Sequence, residues 1–175
     1  MLVIALFAAQ ADLHVAPSRP EGHVHQAQPG MLKVCPAAPV IPAGLEGWRT
    51  MTPVAAGRAP APIRVGRGVR ATLLAGAEVR YPVAPAKPGA AGTSGGVFAF
   101  EAAKAGRYRV ALGARAWIDV VQGGRTLPSA THGHGPDCSP IKKLVDFDLA
   151  AGRYVLQVAG SSNPTLPLMI AQVSG

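Results

Sequence analysis

The fold is decided by the stretch Lys104-Ala105-Gly106-Arg107-Tyr108-Arg109-Val110-Ala111-Leu112. A short turn around the glycine leads into a segment in which Tyr108, Val110 and Leu112 occupy alternate positions. Alternate residues of a strand share one face, so these three predict a strand with one buried side. The phrase returns at 151–156 as Ala-Gly-Arg-Tyr-Val-Leu, again after a strand-like segment that contains phenylalanine. Two such turn-and-strand units indicate an all-β domain.

Short runs of the same character lie on both sides of this stretch, bounded by glycine and proline. No run has a sustained helical period. The pattern predicts one domain, residues 40–175, built as an antiparallel β-sandwich or jelly roll of about eight strands. Residues 45–48 are expected to be extended connecting chain, with Trp48 packed on the domain. The predicted strands are 69–74, 78–83, 97–101, 107–112, 116–121, 144–149, 153–159 and 166–173.

Composition restricts the class of partner. The 175 residues carry 17 Lys and Arg against 9 Asp and Glu, a net charge of +8. The basic residues are scattered and form no stripe with interleaved aromatic residues, which excludes the usual pattern of a nucleic-acid surface. The excess charge predicts no more than weak attraction to anionic components of the cell envelope.

The N-terminus has the features of an export signal. Residues 2–9 are apolar and run into Ala9-Gln10-Ala11, the small-x-small form of a signal-peptidase site, although no Lys or Arg precedes them. The sequence therefore predicts a leader over residues 1–11 and a periplasmic or secreted protein. The apolar run is too short to span a bilayer, and no transmembrane segment is expected once the leader is removed.

Residues 12–39 are predicted to be a mobile tail, because they are rich in histidine and proline and lack apolar periodicity. Cleavage after Ala11 would leave Asp12-Leu13-His14 at the N-terminus, where the amine, two amides and the imidazole suit square-planar Cu(II) or Ni(II). His23 and His25 add further metal-capable groups. A solvated linker with incidental histidines explains the same residues equally well.

A second group of reactive side chains lies at 131–138, Thr-His-Gly-His-Gly-Pro-Asp-Cys. His132, His134 and Asp137 offer the ligand types of a transition-metal site, and Cu or Zn would suit them. The alternative is an exposed, glycine-spaced loop that binds nothing. Cys138 has one possible disulfide partner, Cys35, since the chain holds two cysteines. In an exported protein, a Cys35–Cys138 disulfide is preferred to a Cys138 thiolate.

The repeated phrase at 105–110 and 151–156 resembles the closing hairpins of bacterial pre-peptidase C-terminal domains. Trp117-Ile118-Asp119-Val120 followed by a glycine turn is similar to their central strand. The resemblance covers roughly residues 96–173 and implies a secreted β-sandwich module that accompanies an enzyme rather than being one.

The chain also resembles small exported proteobacterial proteins of unknown function, some of which are labelled homogentisate 1,2-dioxygenase. That label implies non-haem iron held by His132, His134 and Asp137. Compared with cupin metal motifs, however, the acid comes earlier after the second histidine, and no histidine follows His134.

These observations favour a small periplasmic or secreted binding module without catalysis, in which a His-x-His loop binds a transition metal. One alternative is an iron-dependent dioxygenase that uses the same loop. The other is a purely structural module that interacts with the envelope. Two pairs of charges near the loop are expected to need no functional explanation. Asp146 and Asp148 are predicted to lie on the wet face of a strand, and Lys142 and Lys143 to be loop or edge charges.

Overall fold

The structure, a computed structural model, describes residues 34–174, which lie in one compact unit. The predicted leader and the tail histidines His14, His23 and His25 lie outside the described residues. Within them, the chain forms twelve strands and two short 3-10 helices, Glu46–Arg49 and Gly76–Glu78. The strands are β1 Met51–Ala55, β2 Ala61–Pro62, β3 Gly68–Thr72, β4 Leu74–Ala75, β5 Ser94–Ala102, β6 Gly106–Leu112, β7 Trp117–Gln122, β8 Arg125–Thr126, β9 Thr131–Gly133, β10 Lys143–Leu149, β11 Gly152–Ser161 and β12 Thr165–Val173.

The strands form two sheets that pack face to face, which confirms the predicted all-β sandwich. Sheet A has the order β1-β3-β12-β6-β10-β9, and sheet B has the order β2-β5-β11-β7-β8, with β4 also paired to β5. The prediction of wholly antiparallel pairing was wrong at two edges, where β1 pairs with β3 and β2 pairs with β5 in parallel. A long connection permits this arrangement, because the chain leaves β1, contributes β2 to the other sheet and only then returns as β3.

Two of the sequence predictions fail locally. Residues 78–83 form no strand; after the 3-10 helix Gly76–Glu78 they run irregularly over the outer face of sheet B. Pro82 in this segment cannot donate to a ladder. The segment is held instead by the Gln157 side chain, which exchanges two 3.0 Å hydrogen bonds with the backbone of Val83. The predicted extended chain at 45–48 is also wrong, since Glu46–Arg49 is helical.

The repeated Gly-Arg-Tyr phrase marks two of the places where the chain crosses between the sheets. β5 of sheet B continues into β6 of sheet A, and β10 of sheet A continues into β11 of sheet B. These connections are therefore arches rather than hairpins. In each arch the buried tyrosine donates a hydrogen bond to the carbonyl four residues earlier, Tyr108 to Lys104 at 2.8 Å and Tyr154 to Ala150 at 2.9 Å. The tyrosine of each repeat thus anchors its arch to the core.

Glycine is required at the start of both strands that follow the arches. Gly106 and Gly152 have φ of +154° and +153°, which L side chains rarely adopt. A Cβ on Gly106 would lie 2.6 Å from the amide nitrogen of Gln172. The backbone conformation at these two positions therefore explains why glycine occurs in both copies of the repeated phrase.

The main core lies between the sheets, and a smaller one covers the outer face of sheet A. Trp48 is buried in this second core beside Leu45, Ile141 and Met169, which confirms its predicted packing on the domain. The segment that precedes β1 thus acts as a cover for the sheet. A disulfide described below fastens the same segment to the loop before β10.

Two arginine–aspartate pairs bridge β6 and β10 on the outer face of sheet A. Arg109 and Asp146 are opposite each other and form two 2.7 Å hydrogen bonds; Arg107 and Asp148 form two at 2.9 Å. The prediction that both aspartates lie on a wet face holds for Asp148 and is wrong for Asp146, which is only 3% exposed. The buried charge of Asp146 is balanced by Arg109.

Candidate functional site

The histidine loop begins as the edge strand of sheet A. In β9, His132 lies opposite Val145 of β10, a residue of the main core. Facing residues of paired strands project to the same side, so His132 projects toward the gap between the sheets. His134 follows the end of β9, and its Nδ1 lies 3.3 Å from the carbonyl oxygen of Lys142. The two imidazoles therefore have different surroundings.

The rest of the loop is a turn closed by the predicted disulfide. Cys35 and Cys138 are bonded, with their Cα atoms 5.4 Å apart, which confirms the pairing. A disulfide-bonded Cys138 is not available as a thiolate ligand or nucleophile. The backbone nitrogen of Val40 donates to the Cys138 carbonyl at 3.2 Å, so the cover of sheet A is tied to the loop twice.

Asp137 lies on the exposed part of this turn. Within residues 34–174, no three His, Cys, Asp or Glu side chains form a group that could hold a metal ion. The set His132, His134 and Asp137 thus does not meet the three-ligand requirement of a facial iron site in this structure. Metal binding by His132 and His134, with or without His14, His23 and His25, stays a prediction.

A larger group of polar and aromatic side chains lies beside His132, in a cleft of about 380 Å³ that we name the Trp117 cleft. It opens where β7 and β8 of sheet B meet β9 and β10 of sheet A, at the edge of the sandwich. β8 pairs with Val121 and Gln122 alone, so β7 has no neighbouring strand on this side at 117–119 among the described residues. The polar lining comes from Lys87, Asp119, Thr126, Ser129, His132 and Lys143, and the apolar lining from Trp117, Ile118, Leu127, Val145 and Phe147.

Two lysines converge on the indole ring of Trp117. The Nζ atom of Lys87 lies 4.9 Å from the ring centroid, and that of Lys143 lies 5.5 Å from it. Both distances are within the range of cation–π attraction. Lys143 comes from the inward face of β10 and also donates a 2.6 Å hydrogen bond to the carbonyl of Ala116. The prediction that Lys143 is a loop or edge charge was wrong, because Lys143 belongs to β10 and its ammonium group lies over Trp117.

Asp119 provides a buried carboxylate at the wall of the cleft. Its Oδ1 accepts a 2.9 Å hydrogen bond from the indole nitrogen of Trp117. The residue is 8% exposed, and its Oδ2 has no hydrogen-bond partner in the described part of the chain. This oxygen is itself inaccessible to solvent, and a buried carboxylate oxygen without a donor is costly and uncommon.

The charges of the cleft influence one another. Burial raises the pKa of Asp119, against the hydrogen bonds from Trp117 and Gln157 and the positive charge of Lys143. Burial also lowers the pKa of Lys143, and the nearby charge of Lys87 lowers it further while Asp119 raises it. Two ammonium groups near one carboxylate leave the cleft with an excess of positive charge. Shifted ionisable groups gathered in a cleft are typical of binding and catalytic sites.

Of the predicted site residues that the structure describes, His132 alone lines this cleft. Sequence reasoning did not find Lys87, Trp117, Asp119 and Lys143 as a site. One signal was present, since Asp119 interrupts a strand that otherwise reads as apolar from Ile118 to Val121. Lys87 belongs to a flexible-looking loop, and nothing local in the sequence indicates that it reaches Trp117.

Comparison with known proteins adds no assignment. No protein-family model matches the chain, and no curated protein sequence matches it. Among the described residues, no helix has both the length and the apolar character needed to cross a membrane.

Proposed function

We propose that this protein is a non-catalytic binding module of the periplasm or the extracellular space, and that it binds a small ligand in the Trp117 cleft. The observation that carries this proposal is the convergence of Lys87 and Lys143 on the indole ring of Trp117 at an open cleft. A few polar groups on an apolar wall are characteristic of small-molecule sites, which measure roughly 300–1,000 Å³.

The compartment is part of the same proposal. The Cys35–Cys138 disulfide supports it, because such bonds form and persist in oxidising environments. The leader predicted at residues 1–11 points in the same direction. The non-catalytic role is supported by the resemblance to accessory β-sandwich modules. It is also supported by the disulfide bond of Cys138 to Cys35 and by the contact of His134 Nδ1 with the Lys142 carbonyl.

The test uses Trp117 as its own reporter. The chain has two tryptophans, so Trp48→Phe leaves fluorescence from Trp117 alone. This protein would be titrated with neutral sugars, amines, carboxylates and inorganic phosphate, and bound compounds would be recovered and weighed by mass spectrometry. Compounds of at least one class should shift the emission, raise Tm and be recovered unchanged.

A blocking variant provides the control. Ser129→Phe places a ring at the mouth of the cleft and should abolish binding, whereas Ser162→Phe, on an exposed turn between β11 and β12, should not. A panel in which no class binds, or in which Ser129→Phe binds normally, would overturn the proposal. Chemical conversion of a bound compound would point to the enzymatic alternative.

Transition-metal binding is a second candidate, and one contact favours it. In metal sites, a ligating histidine commonly donates a hydrogen bond from its other ring N–H to a backbone carbonyl. His134 Nδ1 lies against the Lys142 carbonyl in the same arrangement. The same panel therefore includes Cu(II), Zn(II) and Fe(II), with His132→Ala/His134→Ala as the variant. Stoichiometric binding that this variant loses would establish the loop as the site, and unchanged binding would exclude it.

A further inference from the structure

Among residues 34–174, the edge of β7 that borders the Trp117 cleft has no neighbouring strand at 117–119. The last contact on this side is a 2.8 Å hydrogen bond from the nitrogen of Leu127 to the carbonyl of Val120. The next residue, Pro128, has no N–H for a ladder. The chain then turns to sheet A, where the nitrogen of Ala130 donates to a carbonyl of β10. The pairing of β8 with β7 therefore stops where the cleft begins.

The backbone of Ile118 faces this open side. In a strand of an antiparallel sheet, the N–H and C=O groups of alternate residues point to the same edge. The Val120 carbonyl points to the β8 side, because it accepts from Leu127. Two residues before Ile118, the Ala116 carbonyl accepts a 2.6 Å hydrogen bond from Lys143, a residue of the cleft. Ile118 lies between these two carbonyls, and no backbone group of the described chain bonds to it from this side.

An extended peptide matches this edge. A strand added beside β7 would lie about 4.8 Å from it, in the position of a continued β8, and the cleft occupies that position. The peptide residue opposite Ile118 would exchange two hydrogen bonds with it and would project to the same side. Ile118 projects into the main core, where Val145 and Phe147 also line the cleft. This position of the peptide therefore suits an apolar side chain.

The cations at the same edge favour acidic side chains on the peptide. Its next residue would lie opposite Trp117, and the Nζ atoms of Lys87 and Lys143 are 4.9 Å and 5.5 Å from that ring. Lys143 uses one of its three N–H donors on the Ala116 carbonyl and has others to spare. Arg115 adds an exposed cation in an adjoining hollow that Trp117 also lines. Separate acidic side chains can approach separate cations, so no anion has to reach two of them.

We infer that the ligand of the Trp117 cleft is an acidic peptide segment that adds to β7 as a strand, with an apolar residue opposite Ile118. This inference rests on the proposed function, because it names the chemical class of the ligand in the same cleft. Addition of an extended peptide to a free sheet edge is a recurring mode of recognition, in which main-chain hydrogen bonds supply affinity and side-chain contacts supply specificity. Here the free amide selects an extended backbone, and the cations select negative charge.

Three synthetic peptides separate the two requirements. The probe is acetyl-Glu-Val-Glu-Val-Glu-amide, which has the same order of side chains in both directions and so fits either strand orientation. One comparison peptide has lysine in place of every glutamate, and the other keeps the glutamates but is N-methylated at both valines. Calorimetric titration of the full disulfide-bonded chain should give the probe a Kd at least about tenfold lower than either comparison peptide, as expected for the loss of hydrogen bonds or of charge attraction.

Hydrogen exchange at the Ile118 amide reports strand addition directly. A saturating amount of the probe should slow exchange of this amide by at least about tenfold, because the amide becomes hydrogen-bonded to the peptide. Amides of β1, at the far edge of sheet A, should exchange at unchanged rates. Exchange followed by NMR on the labelled chain resolves both groups of amides.

Variants assign the charge requirement to the cleft. Lys87→Glu, on an exposed loop, should weaken binding of the probe by about fivefold or more. Lys104→Glu makes the same change of charge at an exposed lysine that does not line the cleft, and it should leave the Kd unchanged. Ser129→Phe, at the mouth of the cleft, should abolish binding.

A probe that does not bind, or that binds no better than its N-methylated form, would overturn the inference. So would exchange at the Ile118 amide that the probe leaves unchanged, because charge alone would then account for binding. Equal weakening by Lys87→Glu and Lys104→Glu would also overturn it. The proposed function is tested separately by the small compounds on the Trp117 reporter. Compounds that bind there while the probe does not would contradict the peptide and leave the ligand site, so the two failures are distinguishable.

Discussion

At the scale of single residues, the three aspartates of β7 and β10 show how surroundings decide a role. Asp148 is exposed and pairs with Arg107, and Asp146 is buried with both of its oxygens bonded to Arg109. Asp119 is buried as well, yet one of its oxygens lacks a donor from the described residues. Two buried carboxylates of the same type therefore have opposite consequences for stability.

Replacing Asp119 by asparagine should stabilise the free protein. Asparagine keeps the acceptor for the Trp117 indole and removes a buried charge, so we expect the free energy of unfolding at pH 7 to rise by about 1 kcal/mol. Because the folded pKa of Asp119 is raised, its stabilising protonated form is lost as pH rises from the ordinary carboxyl value, about 3.9, through the folded value.

Urea unfolding across pH 3–8 measures this effect. The gain of the Asp119→Asn variant over the natural chain should grow with pH through that window and then remain constant. The positive charges of Lys87 and Lys143 and the imidazole of His132 border the same cleft, so Asp148→Asn is the reference for effects unrelated to it. A loss of stability at pH 7 would show that Asp119 is a structural residue.

At the scale of elements, the pairing of β6 with β10 places two chemically identical ion pairs side by side with different burial. The side chain of Asp146 is 4% exposed and that of Asp148 is 65% exposed, whereas Arg109 and Arg107 are both part-exposed. Solvent screens the exposed pair, and its contribution to stability is small. The buried pair contributes more, since a removed partner leaves a charge without compensation.

Asp146→Asn should therefore cost about 1.5–3 kcal/mol of unfolding free energy, and Asp148→Asn should have little effect. The hydrogen bonds from Arg109 lower the pKa of Asp146, so its contribution is present above the ordinary carboxyl value and is lost as pH falls through the folded value. Chemical denaturation at pH 7 and at acidic pH checks both statements. Equal losses for the two variants at pH 7 would contradict the assigned role of burial.

At the scale of the whole molecule, one disulfide joins two parts of the chain that are 103 residues apart. It connects the segment that precedes β1 to the turn that precedes β10. Since that segment carries Leu45 and Trp48, which pack with Ile141 on the outer face of sheet A, the bond secures a layer that the main core does not contain.

Removing this bond should destabilise the protein by about 2–4 kcal/mol, because the unfolded chain gains freedom when so long a loop is opened. Cys35→Ser/Cys138→Ser would be compared with the natural chain in denaturant, each with and without reductant. Reductant should lower the stability of the natural chain to that of the variant and leave the variant unchanged. Equal stability of all four samples would show that the cover of sheet A holds without the bond.

The sequence by itself determined the features that depend on local pattern or on simple counting. Alternation at Tyr108, Val110 and Leu112 predicted a strand, because side chains alternate between faces within one segment. The disulfide was predicted from the count of two cysteines together with a leader-like N-terminal sequence. His132 was recognised as metal-capable from residue type alone.

The tertiary structure alone decided the cleft and the burial of the charges. Lys87, Trp117, His132 and Lys143 come from four separate parts of the chain, and the arches and edge strands bring them together. Asp119 and Asp146 are buried beside residues of paired strands, Gln157 in sheet B and Arg109 in sheet A, that are distant from them in the sequence. Strand pairing between distant segments leaves no periodic trace in the sequence, so both the positions of these groups and their electrostatic surroundings are set only when the two sheets assemble.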